Sequence, residues 1–301
     1  MRALMRSRCS FHKRYARTPP NKSLDASGGS VFRNLLGAAE GALIRAAAST
    51  QTLCRLGRIP SRPHMKSAII IGASSGIGRE LAVALSLDGY RVGVIARRTD
   101  LLTQLRAELT GPCVIKTVDV SQPEAAMPLV RELIEELRDV ELFIVSAGTG
   151  FDNAALAWEP ERETITLNVL GFAGMVNVAV AHLETRGSGH LVGISSIAAL
   201  RGIGGAPAYA ASKAFVSNYL QGVRYRFNKL KLPIVVTDVQ PGFVGTRMAG
   251  GNRFWIASPQ TAARQIIAAI RRRKQHVYVT KRWRLIAWLL QVVPDALYLK
   301  L

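Results

Sequence analysis

From Met65 onward, short apolar runs rich in β-branched residues alternate with stretches whose apolar residues recur every three to four positions. The runs SAIIIGA, YRVGVIAR, CVIKTVDV, VELFIVSAG, GHLVGISS and LPIVVTDVQPG are predicted as strands. Helices are predicted between them, for example over Arg79–Leu87, Leu101–Leu109 and Glu124–Leu137. Near-continuous apolar strands separated by helices are typical of a parallel sheet covered on both faces. The pattern therefore predicts a single α/β domain with a doubly wound parallel sheet, the Rossmann fold.

This pattern divides the chain into three parts. Residues 65–275 are predicted to form the globular domain, and residues 276–301 a basic and apolar tail. Residues 1–64 are rich in Arg, Ser and Ala and carry 12 basic against 2 acidic residues, a composition similar to that of an organellar transit peptide. The alternatives are a disordered extension, or an upstream segment that precedes a true start at Met65. In none of these cases does this segment belong to the functional site.

Composition narrows the class of protein. A chain of 301 residues with 49% hydrophobic residues can bury a sizeable core. The three cysteines show no spacing typical of disulfides or of zinc ligands. The net charge of +20 comes mainly from residues 1–64 (+10) and 271–301 (+7), so the nearly neutral middle does not indicate a nucleic-acid-binding domain. No run of about 18 apolar residues occurs, and no transmembrane helix is predicted.

A glycine-rich turn, GASSGIG, follows the first predicted strand directly. Glycines at a strand-to-helix junction permit a tight turn and let the backbone and the helix N-terminus approach a pyrophosphate. The spacing G-x-x-x-G-x-G differs from the usual G-x-G-x-x-G, and an ordinary turn is the alternative. The residues expected to bind a dinucleotide here are Gly72, Ser74, Ser75, Gly76, Ile77 and Gly78.

Two arginines, Arg97 and Arg98, end the second predicted strand. In a dinucleotide-binding fold this position contacts the adenosine ribose, where an acidic residue would accept hydrogen bonds from the 2′-hydroxyl of NAD. Guanidinium groups instead match a 2′-phosphate through charge-assisted hydrogen bonds. The pair therefore favours NADP over NAD, with a solvated surface pair as the alternative.

Tyr209 and Lys213 are four positions apart, so on a helix they share a face. A nearby ammonium group favours the phenolate form of a tyrosine, which can then exchange a proton with a carbonyl or alcohol oxygen. The spacing Y-x-x-x-K is common by chance, so by itself it indicates little.

Together with the glycine turn, however, this pair resembles the short-chain dehydrogenase/reductase family, over residues 66 to about 275. Ser196 lies 13 positions before Tyr209, where the family has its catalytic serine, and Asn168 in LNVLG matches the catalytic asparagine. Further cofactor positions match at Asp119, Val120, Ala147, Gly148, Pro241, Gly242 and Thr246. The chain departs from the family pattern at Ile71, often threonine, and at Ser146, often asparagine; these positions chiefly brace backbone turns.

The resemblance implies a mechanism. A hydride passes between the nicotinamide of NADPH and a carbonyl or alcohol carbon, while Tyr209 exchanges the proton with the oxygen. Lys213 is expected to favour ionised Tyr209 and to bind the nicotinamide ribose, Ser196 to hydrogen-bond the substrate oxygen, and Asn168 to hold a water of a proton relay. Ser195 is the alternative serine, which the spacing disfavours. No metal is required, and His182, His190 and His276 have no second ligand nearby in the sequence.

Two segments bear on the substrate and on partners. The loop FVGTRMAGGNRFWIASP, residues 243–259, matches the substrate lid of the family, and its apolar residues Met248, Phe254 and Trp255 indicate a lipophilic substrate; surface packing is the alternative. The tail places basic residues beside a short Trp- and Leu-rich helix, which is typical of an interfacial helix on an anionic membrane. Packing on the protein's own core or on a partner subunit is equally compatible with the tail. The family also implies a homo-oligomer, a dimer or tetramer.

The sequence therefore predicts an NADPH-dependent carbonyl reductase, or the reverse alcohol dehydrogenase, in the cytoplasm or peripheral on a membrane. Targeting to an organelle by residues 1–64 is the alternative location. A cofactor-sensing or nucleic-acid-binding protein that keeps the fold is a rival function, against which Ser196, Tyr209 and Lys213 argue. An epimerase or dehydratase ranks lower, because only 88 residues follow Lys213.

Overall fold

A parallel sheet of seven strands is the centre of the computed structural model, which describes residues 65–246 and 255–298. The strands are β1 (Ser67–Ile71), β2 (Arg91–Ala96), β3 (Cys113–Thr117), β4 (Val140–Val145), β5 (Gly189–Ile194), β6 (Ile234–Pro241) and β7 (His276–Val279). Their order in the sheet is β3-β2-β1-β4-β5-β6-β7, and every neighbouring pair is parallel. The strand order reverses between β1 and β4, where the chain first runs outward through β2 and β3 and then returns.

Helices connect the strands and cover both faces of the sheet. They are α1 (Gly76–Leu87), α2 (Thr99–Glu108), α3 (Pro123–Leu137), α4 (Trp158–Ile165), α5 (Phe172–Arg186), α6 (Pro207–Lys229), α7 (Pro259–Arg271), α8 (Trp283–Val292) and α9 (Asp295–Tyr298). A π-helical turn, Thr166–Gly171, joins α4 to α5, and a 3₁₀ helix, Ile197–Leu200, follows β5.

Alternation along each strand produces two hydrophobic cores. Ile69 and Ile71 of β1 face one core, where α3, α5 and α6 pack, whereas Ala68 and Ile70 face the other, where α1, α2 and α7 pack. Successive side chains of a strand point to opposite faces, so a strand that is apolar at every position is buried on both. The predicted doubly wound sheet is thereby confirmed, and the described residues lie in one compact unit.

The seventh strand is the element that the hydrophobic pattern does not predict. Strand β7 has only four residues, HVYV, so its apolar run is too short to indicate a strand, and only Val279 is fully buried. It pairs with β6 at the edge of the sheet, from Asp238 opposite His276 to Pro241 opposite Val279. The segment assigned from sequence to the tail therefore begins inside the sheet.

The helical stretch Trp158–Arg186 is long and apolar enough, by length and composition, to cross a membrane. Of its most apolar part, 56% is buried inside the protein, where α5 packs on β4 and β5. Its apolar character therefore matches a helix that covers a sheet.

Candidate active site

A cavity of about 1040 Å³ opens at the carboxyl ends of the strands, beside the point where the strand order reverses. Ligands of open α/β sheets bind in this crevice. Most of the site residues expected from the sequence line it: Gly72, Ser74, Ser75, Ile77, Arg97, Arg98, Asp119, Val120, Ala147, Gly148, Ser196, Tyr209, Lys213, Pro241, Gly242 and Thr246. Gly76, Gly78 and Asn168 are not among the residues that line it.

The glycine turn is shaped by close backbone approaches. Gly72 has φ +90°, and a Cβ there would lie 2.6 Å from the Cα of Ala147. A Cβ on Gly78 would overlap the carbonyl oxygen of Gly72, so neither position can carry a side chain. At Gly76, with φ +60°, a Cβ would lie 3.0 Å from the Thr246 methyl group, which places Thr246 beside the turn. These glycines let the chain fold tightly enough for α1 to begin at Gly76.

The N-terminus of α1 can receive an anion. Ser75 is the residue before the helix, its side chain does not cap the helix, and the first turn holds no acidic residue. The first amide groups of a helix have no partner within the helix and carry a partial positive charge. The turn therefore fits the pyrophosphate of a dinucleotide.

The two arginines at the end of β2 have different surroundings. Arg98 donates hydrogen bonds to the hydroxyl groups of Ser74 (2.7 Å) and Ser75 (3.0 Å), so its guanidinium group lies over the glycine turn. The Arg97 side chain is 57% exposed, and its guanidinium group lies 3.9 Å from the Asp119 carboxylate. Asp119 also accepts hydrogen bonds from the amide and hydroxyl groups of Ser121. Of the two arginines, Arg98 is thus the one that the fold holds at the turn.

Tyr209 and Lys213 lie one turn apart on α6, which begins at Pro207. The Lys213 ammonium group is buried, lies 5.8 Å from the centre of the Tyr209 ring and donates to the Ile194 carbonyl (3.1 Å). Burial lowers the pKa of Lys213 to about 8, and the charge of Asp238 partly opposes this shift. Lys213 is therefore still charged at pH 7. A side chain at Gly150 would overlap the Tyr209 ring, so this glycine leaves the space that the phenol occupies.

The two adjacent serines after β5 point to different partners. The Ser195 hydroxyl group contacts the buried carboxylate of Asp238 and lies 3.0 Å from the Val239 carbonyl oxygen. Ser196 accepts a hydrogen bond from the amide of Ala198 (3.1 Å), which caps the 3₁₀ helix, and it lines the cavity. Ser195 lines the cavity too, but its hydroxyl hydrogen is engaged by Asp238 or the Val239 carbonyl, whereas that of Ser196 can be donated to a substrate oxygen.

Asn168 lies in the π-helical turn between α4 and α5. Its side-chain amide exchanges two hydrogen bonds with the backbone of Thr149 (2.9 and 2.8 Å) and donates to the Ser212 hydroxyl (2.9 Å). Asn168 Oδ1 and Lys213 Nζ both lie 3.2 Å from the position that a Cβ of Gly148 would take. Asn168 thus fixes the loop after β4 against α6, close to the ammonium group. Short π-helical segments are frequent at functional sites.

The comparisons with known proteins agree with this geometry. Residues 66–256 match the family model of the short chain dehydrogenases. The chain belongs to the short-chain dehydrogenase family. It is 37% identical to an oxidoreductase of Myxococcus xanthus over 63% of this chain and 76% of that one, and 32% identical to one of Mycobacterium tuberculosis over 68% and 84%. A short chain dehydrogenase from Burkholderia cenocepacia, solved in complex with NADP, superposes with a TM-score of 0.67 at 23% identity, covering 78% of this chain and 96% of that one.

Family membership makes the protein an oxidoreductase of the nicotinamide-dependent kind, and the cavity fits such a cofactor. Ligand pockets commonly enclose about 300–1,000 Å³, so a cavity of about 1040 Å³ has room for a dinucleotide and a substrate together. The glycine turn, the free helix N-terminus and Arg98 can hold its phosphates, and Lys213 can contact its ribose. Among residues 65–246 and 255–298, no group of three potential metal ligands occurs.

One buried group of this short-chain dehydrogenase was missed by sequence analysis. Asp238 of β6 is 4% exposed, accepts from Ser195, lies 3.2 Å from the Gln240 amide nitrogen, and has His276 Nδ1 at 3.7 Å. Its negative charge favours the ammonium form of Lys213. No motif marks Asp238, which the sequence shows as one of three polar residues in an otherwise apolar strand, with Thr237 and Gln240.

The segment 283–298 forms part of the same cavity, which sequence analysis also missed. Trp283, Leu290 and Tyr298 line it, and the Trp283 indole lies directly on Gly242.

The predicted lid is only partly described. Its residues 247–254, which include Met248 and Phe254, lie outside the described residues. The two ends of that loop are joined, because the amide of Ala257 donates to the Phe243 carbonyl (3.0 Å).

Proposed function

We propose that this short-chain dehydrogenase is an NADPH-dependent carbonyl reductase that acts on a lipophilic ketone or aldehyde, or catalyses the reverse oxidation. The observation that carries the proposal is that Tyr209, buried Lys213 and Ser196 line the same cavity as the glycine turn, with the Lys213 ammonium group beside the Tyr209 ring. We also propose a homo-oligomer, by analogy with the family.

Each side chain has a role that follows from its position. Bound NADPH would supply the hydride to the carbonyl carbon. Ser196 donates a hydrogen bond to the carbonyl oxygen, so charge that develops there is stabilised. Tyr209 gives its phenolic proton to that oxygen, and Lys213, charged at pH 7, stabilises the phenolate left behind. Asn168, which braces the loop beside Lys213, holds the water through which Tyr209 is reprotonated.

The lipophilic substrate is inferred from apolar side chains that line the same cavity as Ser196. They are Ile197, Ile203, Phe243, Trp283 and Leu290. An apolar wall contributes affinity in proportion to the apolar area that it removes from water.

NADPH oxidation across ketones, long-chain 3-oxoacyl compounds and steroids tests the function directly. If no compound is reduced while the protein binds RNA or DNA, the proposal is wrong and the rival binding function is favoured.

The preference for NADPH depends on Arg98. Arg98→Ala should raise the KM for NADPH by about 10- to 100-fold, because a hydrogen bond to a charged group contributes about 1.5–3 kcal/mol. The KM for NADH should change less than about threefold. Arg97→Ala should have the smaller effect, since Arg97 is exposed and lies near the Asp119 carboxylate.

The matched control is Arg131→Ala, which removes the same charge from an exposed position of α3. Steady-state kinetics with both cofactors gives the ratio of the two KM values. Equal losses for NADPH and NADH in Arg98→Ala would contradict a 2′-phosphate role.

We propose that the protein is a cytoplasmic enzyme that binds membranes peripherally through the outer face of α8, defined as Leu285, Trp288, Leu289 and Val292. These side chains are exposed although apolar, and the inner face of the same helix is buried at Trp283 and Ala287. Exposed Lys281, Arg282 and Arg284 lie beside them. A ten-residue helix is too short to span a bilayer, but an apolar face with a tryptophan and flanking cations suits an anionic surface. The same cations would repel each other if two copies met by this face.

Glutamate at Leu285 and Trp288 together should lower co-sedimentation with liposomes of phosphatidylserine and phosphatidylcholine by at least about tenfold. The substitutions remove two apolar side chains that would insert into the lipid, and they add two negative charges, which anionic headgroups repel. Leu87→Glu is the control, because Leu87 is equally exposed but lies on α1. These substitutions change only the outer face of α8, whereas deletion of residues 283–301 would also remove buried Trp283. Wild-type protein that stays in solution with anionic liposomes would refute membrane binding.

A further inference from the structure

The segment from α8 to α9, residues 283–298, is the far wall of the candidate substrate compartment. At its start, the Trp283 ring meets the Phe243 ring edge to face, with centroids 5.2 Å apart. Farther along, Ile286 and Leu290 pack near Ile197 and Leu200 of the 3₁₀ helix. Leu290 and Tyr298 also line the cavity, so the position of this segment sets how far the compartment extends beyond Ser196.

A single side chain, Arg201, holds the end of this segment. Its Nε donates to the Leu290 carbonyl (2.7 Å), one terminal nitrogen donates to the Val293 carbonyl, and the other pairs with Asp295. The guanidinium carbon lies 5.4 Å from the centre of the Tyr298 ring. The Tyr298 hydroxyl group in turn donates to the carbonyl of Gly202, next to Arg201 (2.9 Å).

These contacts match what the end of a helix requires. The last four carbonyl groups of an α-helix have no partner within the helix, and α8 ends at Val292. A guanidinium group offers five donors in a fixed plane, so it can cap carbonyl groups that lie apart from each other, whereas an ammonium group offers three donors at a single point. The carboxylate of Asp295 is 82% exposed, so its pairing contributes little compared with the two carbonyl bonds.

Arg201 also links this wall to the reaction centre. It directly follows the 3₁₀ helix Ile197–Leu200, whose first turn is capped by the Ser196 hydroxyl group. One short stretch of five residues, 197–201, therefore connects Ser196 to the side chain that contacts the wall.

We propose that Arg201 is a positioning residue that fastens residues 283–298 as the wall of the substrate compartment, and that Leu290 and Tyr298 on that wall determine the size of substrate accepted. The fastening stands on the contacts alone, whereas the selection by size rests on the proposed reductase function.

Hydrogen–deuterium exchange of the full-length protein without substrate tests the fastening. Arg201→Ala should speed exchange of the amides of Val293, Leu297 and Tyr298, which are hydrogen-bonded in the wall, by at least about tenfold. Arg201→Lys should give an intermediate rate, and Asp295→Asn less than about a threefold change. Unchanged exchange in α6 shows that the rest of the fold is intact. Wall amides that exchange at the wild-type rate in Arg201→Ala would refute the fastening.

Kinetics with 2-alkanones of increasing chain length tests the selection. Leu290→Ala should shift the ratio of kcat/KM for long over short ketones upward by about tenfold, and Leu290→Trp should shift it downward by a similar factor. Arg201→Ala should raise the KM for long ketones by about tenfold, with kcat falling less than about threefold and the KM for NADPH unchanged.

The two parts fail in different ways. If wild type reduces long ketones but all variants keep its chain-length preference, the selection of substrate size by this wall is wrong and the proposed function stands. If wild type reduces no carbonyl compound, the proposed function and the selection both fail, and the exchange rates decide the fastening.

Discussion

Tyr209→Phe is expected to lower kcat for carbonyl reduction by a factor of about 10²–10⁴, because the variant cannot give a proton to the substrate oxygen. The ring itself should stay in place. The space at Gly150 that admits the tyrosine ring admits phenylalanine equally well, so the shape of the cavity is kept. Single-turnover oxidation of NADPH, followed at 340 nm with a saturating ketone, measures the effect on the chemical step.

The matched control is Tyr225→Phe, which removes an exposed phenol from the same helix. Its activity should equal that of wild type. The dissociation constant of NADPH should change less than about threefold in Tyr209→Phe, which separates loss of proton transfer from loss of cofactor binding. Turnover by Tyr209→Phe at the wild-type rate would mean that another group supplies the proton.

Lys213→Met is expected to lower kcat by about 100-fold or more and yet to stabilise the cofactor-free protein at pH 7. The activity falls because the buried charge that stabilises the Tyr209 phenolate is lost. The stability rises because burial lowers the pKa of Lys213 from 10.5 to about 8, which costs about 3 kcal/mol at most at neutral pH. Loss of the hydrogen bond to Ile194 subtracts about 1 kcal/mol, so a net gain of about 2 kcal/mol remains.

The pH dependence of this gain has a definite sign. Below pH 8 both the folded and the unfolded chain carry the Lys213 proton, and the full cost of the buried charge is present. Between about 8 and 10.5 the folded chain has released this proton and the unfolded chain has not, so the cost decreases as pH rises. The difference in free energy of unfolding between Lys213→Met and wild type should therefore shrink by about 2 kcal/mol from pH 7 to pH 9.5.

Urea unfolding of the cofactor-free proteins at both pH values measures this difference, since groups common to both proteins cancel. Lys229→Met, at the exposed end of α6, should show no such gain at either pH. A Lys213→Met protein less stable than wild type at pH 7 would contradict the cost assigned to the buried ammonium group.

These two substitutions bear on one property of the site, an almost fully buried cation at the wall of the cavity. Proteins often keep such destabilising groups where function needs them, and their removal is then stabilising and inactivating together. Among the described residues, the charge of Asp238 and the hydrogen bond to the Ile194 carbonyl reduce the free-energy cost of burying the Lys213 ammonium group.

The sequence by itself determined the features that depend on neighbours along the chain. The near-continuous apolar run in SAIIIGA predicted a strand buried on both faces, because successive side chains point to opposite sides. The glycines at 72, 76 and 78 predicted a tight turn, and the structure gives Gly72 a positive φ and Gly78 no room for a side chain. The interval of four between Tyr209 and Lys213 predicted a shared helix face, and both side chains line the cavity. Local periodicity and backbone sterics are sufficient for each of these.

Tertiary structure alone decided the features that join distant segments. The contact of Ser195 with Asp238 spans 43 residues, and those of Arg201 with Leu290, Val293 and Asp295 span 89 to 94. Likewise, strand β7 is positioned by its pairing with β6. The inner face of α8 is positioned by its contacts with the 3₁₀ helix and with Gly242, and the composition of neither segment indicates these partners. A periodic pattern indicates which side of an element is buried. It carries no record of which distant surface buries it, because that depends on how all the elements pack together.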